Sequence, residues 1–135
     1  MAGEFLDSNI LVYAFSDDPR AAMAQSLLER GCTISVQALN EFANVVRRKL
    51  GKSWQEIHDA VAAIRVLCPT VLPIDLDTHA AALRLAERHA FSFFDALMIA
   101  AASRAGGDTL WSEDMQHGMT IDGGLRIANP FRSAA

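Results

Sequence analysis

Glu4-Phe5-Leu6-Asp7-Ser8-Asn9-Ile10-Leu11-Val12-Tyr13-Ala14 is the stretch on which the fold turns. Glu4–Leu6 suits a short strand, Asp7 closes it, and the apolar run Ser8–Phe15 begins a helix directly behind the acid. The same alternation continues outward from there. Asp17-Asp18-Pro19 supplies an acid for an N-cap and a proline for a first turn, and the helix it opens runs through Ala21–Arg30 to a stop at Gly31. Thr33–Val36 reads as a second strand and Gln37–Leu50 as an amphipathic helix ending at Gly51. Ser53-Trp54-Gln55-Glu56 fits a capping box for a helix to Leu67, which Pro69 stops. Val71–Leu76 reads as a third strand, with Pro73 pointing to a sheet edge. Asp77 or Thr78 caps a helix to His89, and Ser92 starts another that runs through Ala105 to Gly106-Gly107. Thr109–Ser112 is a fourth strand and Leu125–Ala128 a fifth. Strands alternating with helices predict an α/β fold, a three-layer α/β/α sandwich around a mainly parallel sheet of four to five strands with right-handed crossovers.

The chain has 135 residues, of which 51% are hydrophobic and 21% charged. That length predicts a single domain over residues 1–135, and that apolar content excludes a disordered chain. No apolar run reaches the ~18 residues of a membrane span, and no basic segment followed by an apolar one marks a secretory signal. Two cysteines, Cys32 and Cys68, are too few for a disulfide scaffold and are expected to behave as small hydrophobes. The expectation is a soluble cytoplasmic protein with reduced thiols and no membrane partner.

The formal net charge is −4, and it is unevenly spread. Residues 1–19 hold Glu4, Asp7, Asp17 and Asp18 and no base; residues 106–125 hold Asp108, Glu113, Asp114 and Asp122 and no base. In an open parallel sheet the working site lies beyond the carboxyl ends of the strands. Asp7 follows the first strand and Asp114 the fourth, so the two acidic segments are predicted neighbours. Such an end attracts cations, and two divalent ions there would offset the whole net charge.

Four acids stand in strongly apolar company: Asp7, Glu41 in Ala38-Leu39-Asn40-Glu41-Phe42, Asp95 in Phe93-Phe94-Asp95-Ala96-Leu97, and Asp114 in Leu110-Trp111-Ser112-Glu113-Asp114. Taken singly, each has an ordinary reading. Asp7 and Asp95 suit helix starts, Glu41 a solvated helix face and Asp114 a turn. Taken together, buried carboxylates repel one another unless a metal joins them. An oxygen-only donor set favours Mg²⁺ or Mn²⁺ over Zn²⁺.

At these four positions the sequence resembles the PIN-domain nucleases, and more narrowly the VapC-type toxins of toxin–antitoxin pairs. Phe5-Leu6-Asp7-Ser8-Asn9-Ile10-Leu11-Val12-Tyr13-Ala14 is similar to the first motif, Asn40-Glu41-Phe42 to the second, Phe94-Asp95-Ala96-Leu97-Met98-Ile99-Ala100 to the third and Ser112-Glu113-Asp114 to the fourth; Ile127-Ala128-Asn129-Pro130-Phe131 suits the last strand and tail. The resemblance runs over essentially the whole chain. It implies a metal-dependent endoribonuclease in which Asp7, Asp95 and Asp114 hold Mg²⁺ or Mn²⁺ and Glu41 binds a second ion or orients the attacking water. It implies in-line attack that leaves a 5′-phosphate and a 3′-hydroxyl, with the metal activating water and neutralising charge. Ser8, Asn9 and Ser112 are the candidates to hydrogen-bond the carboxylates. An RNA substrate, a cognate antitoxin protein and a homodimer follow from the same resemblance.

Arg47, Arg48, Lys49 and Lys52 form the one basic cluster. They are candidate RNA contacts, or simply cations at a helix C-terminus, where the dipole favours them. Glu113 is expected to be exposed, since Asp114 occupies the motif position. Trp54 and Trp111 are expected to pack, and His117 to lie on a surface loop. Two other functions compete: a nuclease-dead PIN domain that binds RNA or scaffolds a complex, and another Mg²⁺-dependent phosphoryl enzyme. The second is disfavoured because position 9 is Asn, so the Asp-x-Asp pair of haloacid-dehalogenase-like phosphatases is absent.

Overall fold

A computed structural model describes residues 3–121 and 123–132. Asp122, from the second acidic segment, lies outside the described residues.

The chain runs β1 (Glu4–Leu6), α1 (Ser8–Ala14), α2 (Ala21–Glu29), β2 (Ile34–Ser35), α3 (Val36–Arg48), α4 (Trp54–Leu67), β3 (Val71–Leu72), α5 (Leu76–His89), α6 (Phe93–Arg104), β4 (Thr109–Trp111), β5 (Thr120–Ile121) and β6 (Leu125–Ala128). Four strands form one sheet in the order β1-β4-β6-β5, and β2 pairs with β3 in a second. A parallel bridge between Phe5 and Thr33 joins the two. Every pairing is parallel except β5 with β6. The architecture is therefore the α/β sandwich expected, a mainly parallel sheet flanked by helices.

Four local readings change. Arg20, with no side-chain cap bond, takes the N-cap position of α2, so Pro19 precedes the helix and Asp18 accepts from the Arg20 N–H at 2.9 Å instead of capping it. Strand β2 is cut to two residues because Ser35, still paired with Leu72, already caps α3, its side chain accepting from the Ala38 N–H at 3.1 Å. Strand β3 ends at Leu72, and Asp75 rather than Asp77 or Thr78 caps α5, accepting from the Thr78 N–H at 2.8 Å. Pro73 supplies the break, having no N–H for a ladder. The short antiparallel β5 was not expected. It returns to β6 through Gly123 and Gly124, whose φ values of 94° and 101° suit glycine alone. The Ser53 capping box holds, Ser53 and Glu56 capping each other's backbone, and Ser92 caps α6 one way, accepting from the Asp95 N–H at 3.2 Å.

The core gathers Leu6 from β1, Ile10 and Leu11 from α1, Phe42 from α3, Ile99 from α6, and Leu110 and Ile127 from the sheet, all essentially solvent-free. Helix α6 is the hub, with Ala96–Ala102 buried on every face. Its small residues let α5, α3 and β2 approach. Gly107 completes that approach: a Cβ there would stand 2.5 Å from the Phe5 ring and 2.9 Å from the Ala102 carbonyl oxygen. Cys32 and Cys68 are buried and free, and burial pushes both thiols up to about 11. Among the described residues no helix is long and apolar enough to cross a membrane.

Candidate active site

Parallel pairing of β1 with β4 sets Leu6 against Trp111, so the residues that follow each strand emerge side by side. The Asp7 N–H continues the ladder to the Trp111 carbonyl at 2.9 Å. Asp7 is thereby locked at the sheet edge with 3% of its surface exposed. Its Oδ1 accepts from the Ser8 N–H at 2.7 Å, which caps α1. Its Oδ2 accepts from Ser112 Oγ at 2.6 Å and from the Asn9 amide at 3.2 Å. Burial nevertheless pushes the Asp7 carboxyl up to about 6, against the Ser112 and Ser8 hydrogen bonds, with Glu41 and Asp95 adding repulsion.

The other acids close on Asp7 through the same small side chains. Ser8 Oγ donates to Glu41 Oε1 at 2.9 Å, and Gln37, one turn earlier on α3, donates to Glu41 Oε2 at 2.9 Å. The Asn9 amide reaches Asp114 Oδ2 at 3.2 Å. Asp95, at the third position of α6, is half-buried; burial and the Asp114 charge raise its carboxyl, while the Ser92 hydroxyl lowers it. The structure thus brings Asp7, Glu41, Asp95 and Asp114 to one end of the sheet, with Ser8, Asn9 and Ser112 among them.

The donor set is all oxygen and mutually repelling, which suits Mg²⁺ or Mn²⁺. Among the described residues no three His, Cys, Asp or Glu side chains already form a metal-holding cluster. Asn9, bridging Asp7 and Asp114, occupies the space between two of them. The residues fit such an ion by chemistry, and Asp7, Glu41, Asp95 and Asp114 are those that would hold it.

Several details depart from expectation. Glu113 is not a free surface acid: Tyr13 Oη donates to its Oε1, and Arg20 Nη1 donates to its Oε2 at 2.7 Å and to Tyr13 Oη at 2.7 Å. Arg20 also pairs with Asp18 at 2.9 Å and stacks over the Tyr13 ring at 4.6 Å. Burial and the Glu113 carboxylate push the Tyr13 hydroxyl up to about 12. The acidic termini are therefore not mainly a metal site. Glu4 pairs with Arg30 at 2.6 Å, and Asp18 and Glu113 pair with Arg20, so three of the eight acids are held by arginines, while Asp7 and Asp114 join the site.

The basic cluster divides. Arg47 stacks over Trp54 at 4.4 Å and donates to the Lys52 carbonyl at 3.0 Å, so Trp54, 60% exposed, is a surface partner and no core residue. Arg48 and Lys49 instead flank Asn44 on the outer face of α3. Trp111 packs on β4 with its Nε1 donating to Glu4 at 3.1 Å. His117 accepts from the Asn129 N–H at 2.9 Å through Nδ1, which ties its loop to the tail.

A PIN-domain family model matches residues 5–117. No curated protein matches the chain. Among solved structures, VapC20 of Mycobacterium tuberculosis, described as a sarcin-ricin loop cleaving toxin, is similar with 22% identity and a TM-score of 0.69, over 83% of this chain and 90% of that one. A toxin–antitoxin complex from Klebsiella pneumoniae gives 18% identity and a TM-score of 0.73 over 97% and 100% of the two chains. VapBC2 of Rickettsia felis bound to a promoter DNA fragment gives 18% and 0.67 over 93% and 98%. At these identities the likeness is one of fold, and it agrees with the family model. The chain belongs to the PIN-domain family.

Proposed function

We propose that the protein is a metal-dependent endoribonuclease, the toxin of a type II toxin–antitoxin pair, acting in the cytoplasm as one domain. The observation that carries this reading is the cost of the acid group. Asp7 is almost fully buried, its carboxyl is raised by burial, and Glu41 and Asp95 repel it further. A scaffold or a nuclease-dead RNA-binding module would have no use for that repulsion.

Bound Mg²⁺ or Mn²⁺ supplies charge neutralisation at the phosphate and an activated water. The chain's own part is positioning. Asp7, Asp95 and Asp114 would hold the ion, and Glu41, fixed by Ser8 and Gln37, would orient the attacking water or hold a second ion. Ser112 and Asn9 keep the Asp7 and Asp114 oxygens in place. Water attack in line with the leaving 3′-oxygen gives a 3′-hydroxyl and a 5′-phosphate.

The relatives solved with antitoxins support a cognate antitoxin as partner. Apolar side chains left exposed on α4 and α5, Val66 and Leu76 among them, support contacts with that partner and with a second copy in a homodimer. Sedimentation of the purified toxin as a monomer at high concentration would count against the dimer.

The test compares wild type with Asp95→Asn. Wild type cleaves RNA with Mg²⁺ or Mn²⁺ and stops when the metal is chelated, and the sequenced ends carry 5′-phosphates. Asp95→Asn loses more than about 100-fold, beyond the 10–100-fold typical for groups that only support ligands, while melting near the wild-type temperature. Cleavage by Asp95→Asn at the wild-type rate sinks the assignment. RNA binding without cleavage in the wild type supports the nuclease-dead reading.

A further inference from the structure

Opposite Asp7 the site is open. A cleft of about 490 Å³ lies between α3 and the start of α6, lined by Gln37, Asn40, Glu41, Asn44, Phe94 and Asp95. Glu41 and Asp95 are acids of the site, and the Gln37 amide is taken up by Glu41. The other three have little to do in the fold. Asn40 and Asn44 are exposed, and among the described residues neither amide has a hydrogen-bond partner. Phe94 is 60% exposed, and among the described residues its one ring contact is with its neighbour Phe93 at 6.0 Å.

Asn40, Asn44 and Arg48 are spaced i, i+4, i+8, so they line one stripe of α3 some 12 Å long at ~1.5 Å per residue. Arg48 and Lys49 border a shallow pocket with Asn44 and Val45 at the far end of that stripe. The order along it is carboxylates, aromatic ring with two carboxamides, then cations. An apolar peptide would bury two carboxylates and two unpartnered amides here. A base-paired duplex would offer the ring no free base face, whereas an unpaired nucleotide offers a π-face, a donor–acceptor edge and a phosphate in turn.

We propose that this cleft is a subsite for an unpaired RNA nucleotide beside the phosphate being cleaved. Phe94 stacks on its base, the Asn40 and Asn44 amides hydrogen-bond the base edge, and Arg48 with Lys49 holds the next phosphate. Arg47 and Lys52 take no part, since Arg47 is bound to Trp54 and the Lys52 carbonyl, and Lys52 lines a separate groove beside Phe15 and Glu56. This inference rests on the nuclease reading and names what that site recognises.

The test measures binding in an Asp114→Asn background, inactive on that reading, with Mg²⁺ and a pool of random-sequence, unstructured oligoribonucleotides. Phe94→Ala weakens binding about 5- to 150-fold, the range carried by base–aromatic stacking. Phe94→Trp keeps the affinity, and its fluorescence is quenched by the single-stranded pool but not by double-stranded RNA of matched length. Arg48→Ala weakens all sequences alike and lowers the salt slope. In active protein, Phe94→Ala raises KM and leaves kcat within a few fold. If Phe94→Ala binds as its parent does, or the Phe94→Trp emission ignores RNA, the subsite is wrong. Wild-type cleavage together with an unchanged KM in Phe94→Ala removes the subsite alone. A wild type that neither binds nor cleaves RNA removes the nuclease reading with it.

Discussion

The two walls of the acidic site are built differently. The Asp7 wall hangs on strand pairing: the β1–β4 ladder, the Asp7 N–H to Trp111 bond, and a carboxylate reached by Ser8, Asn9 and Ser112. The Asp95 wall hangs on a helix start, and its carboxylate faces a cleft edged by amides and a bare phenyl ring. One wall is preorganised before any ligand arrives, and the other is left free to receive one. Function asks for both, because a cation site needs fixed oxygens while a long substrate needs an open side. Substitutions on the first wall should therefore change folding stability and chemistry together, and those at the amides and the phenyl ring beside Asp95 should change recognition alone.

The largest effect is expected at Asp7. Asp7→Asn removes a proposed ligand, so cleavage should fall at least about 1,000-fold, beyond the loss from removing a supporting group. Its effect on metal-free stability has the opposite sign. The Asp7 carboxyl titrates at about 6 in the fold against 3.8 as a free group. A raised acid favours the folded state least when ionised. The penalty is absent below pH ~3.8, grows as pH rises to ~6, and then levels at roughly 3 kcal/mol. The amide removes that penalty but leaves one of the surrounding donors without an acceptor, which returns ~1 kcal/mol. Urea unfolding in chelator should show wild type losing stability between pH 4 and pH 7 and Asp7→Asn losing much less. Equal pH slopes would mean that Asp7 is not held as the structure holds it.

This contrast also explains what the sequence could and could not say. β1 and the Ser53 and Ser92 caps depend on residues within a few positions of one another, and periodicity and cap chemistry read them directly, whereas the four acids stand out by their apolar company and by the resemblance of their motifs to the PIN-domain family. The fates of Glu113 and Trp54 depend on partners far away in the chain. Glu113 finds Arg20 across 93 positions, and no local rule ties an Arg behind Asp17-Asp18-Pro19 to an acid after the fourth strand. Trp54 looks like a core residue until Arg47 is seen over its ring. Two missed features had signals. Asp122-Gly123 is hairpin chemistry that points to β5, and Gln37 stands i−4 from Glu41, where a helix puts an amide beside a carboxylate.

Ser112→Ala should come next in size. Ser112 is fully buried, and its hydroxyl is the shortest donor to Asp7. At pH 8 Asp7 is ionised and a charge-assisted bond is lost, costing about 1.5–3 kcal/mol; near pH 4.5 the carboxyl is neutral and the cost drops to about 0.5–1.5 kcal/mol. Removing a bond that lowers the Asp7 carboxyl raises it further, so the acidic limb of the cleavage profile should move to higher pH. Urea titrations at the two pH values check the first claim and a pH–rate profile the second. An identical cost at both would place Ser112 in packing and remove its link to the carboxylate. Asn44→Ala on the open wall is the control, expected to shift stability by less than about 0.5 kcal/mol.

The smallest effect tests how far the built wall extends. Arg20 touches no acid of the site, yet it grips Glu113 and Tyr13. The Glu113 N–H in turn donates to Asn9 Oδ1 at 3.3 Å, and the Asn9 amide holds both Asp7 and Asp114. Arg20 is thus a positioning residue for Asp114, the one acid of the group carried on an exposed turn. Arg20→Ala should lower kcat about 10-fold, less than the ~100-fold that a 1 Å misplacement can cause. KM for RNA should stay unchanged, because the cleft between α3 and α6 is untouched. Glu113→Gln keeps an acceptor for Tyr13 while it loses the charge and the oxygen that accepts from Arg20, so its loss should be smaller than that of Arg20→Ala, which also breaks the bond to Tyr13. A rise in KM with kcat constant would move Arg20 from the built wall to the substrate path, and the division between the two walls would then have to be redrawn through α2.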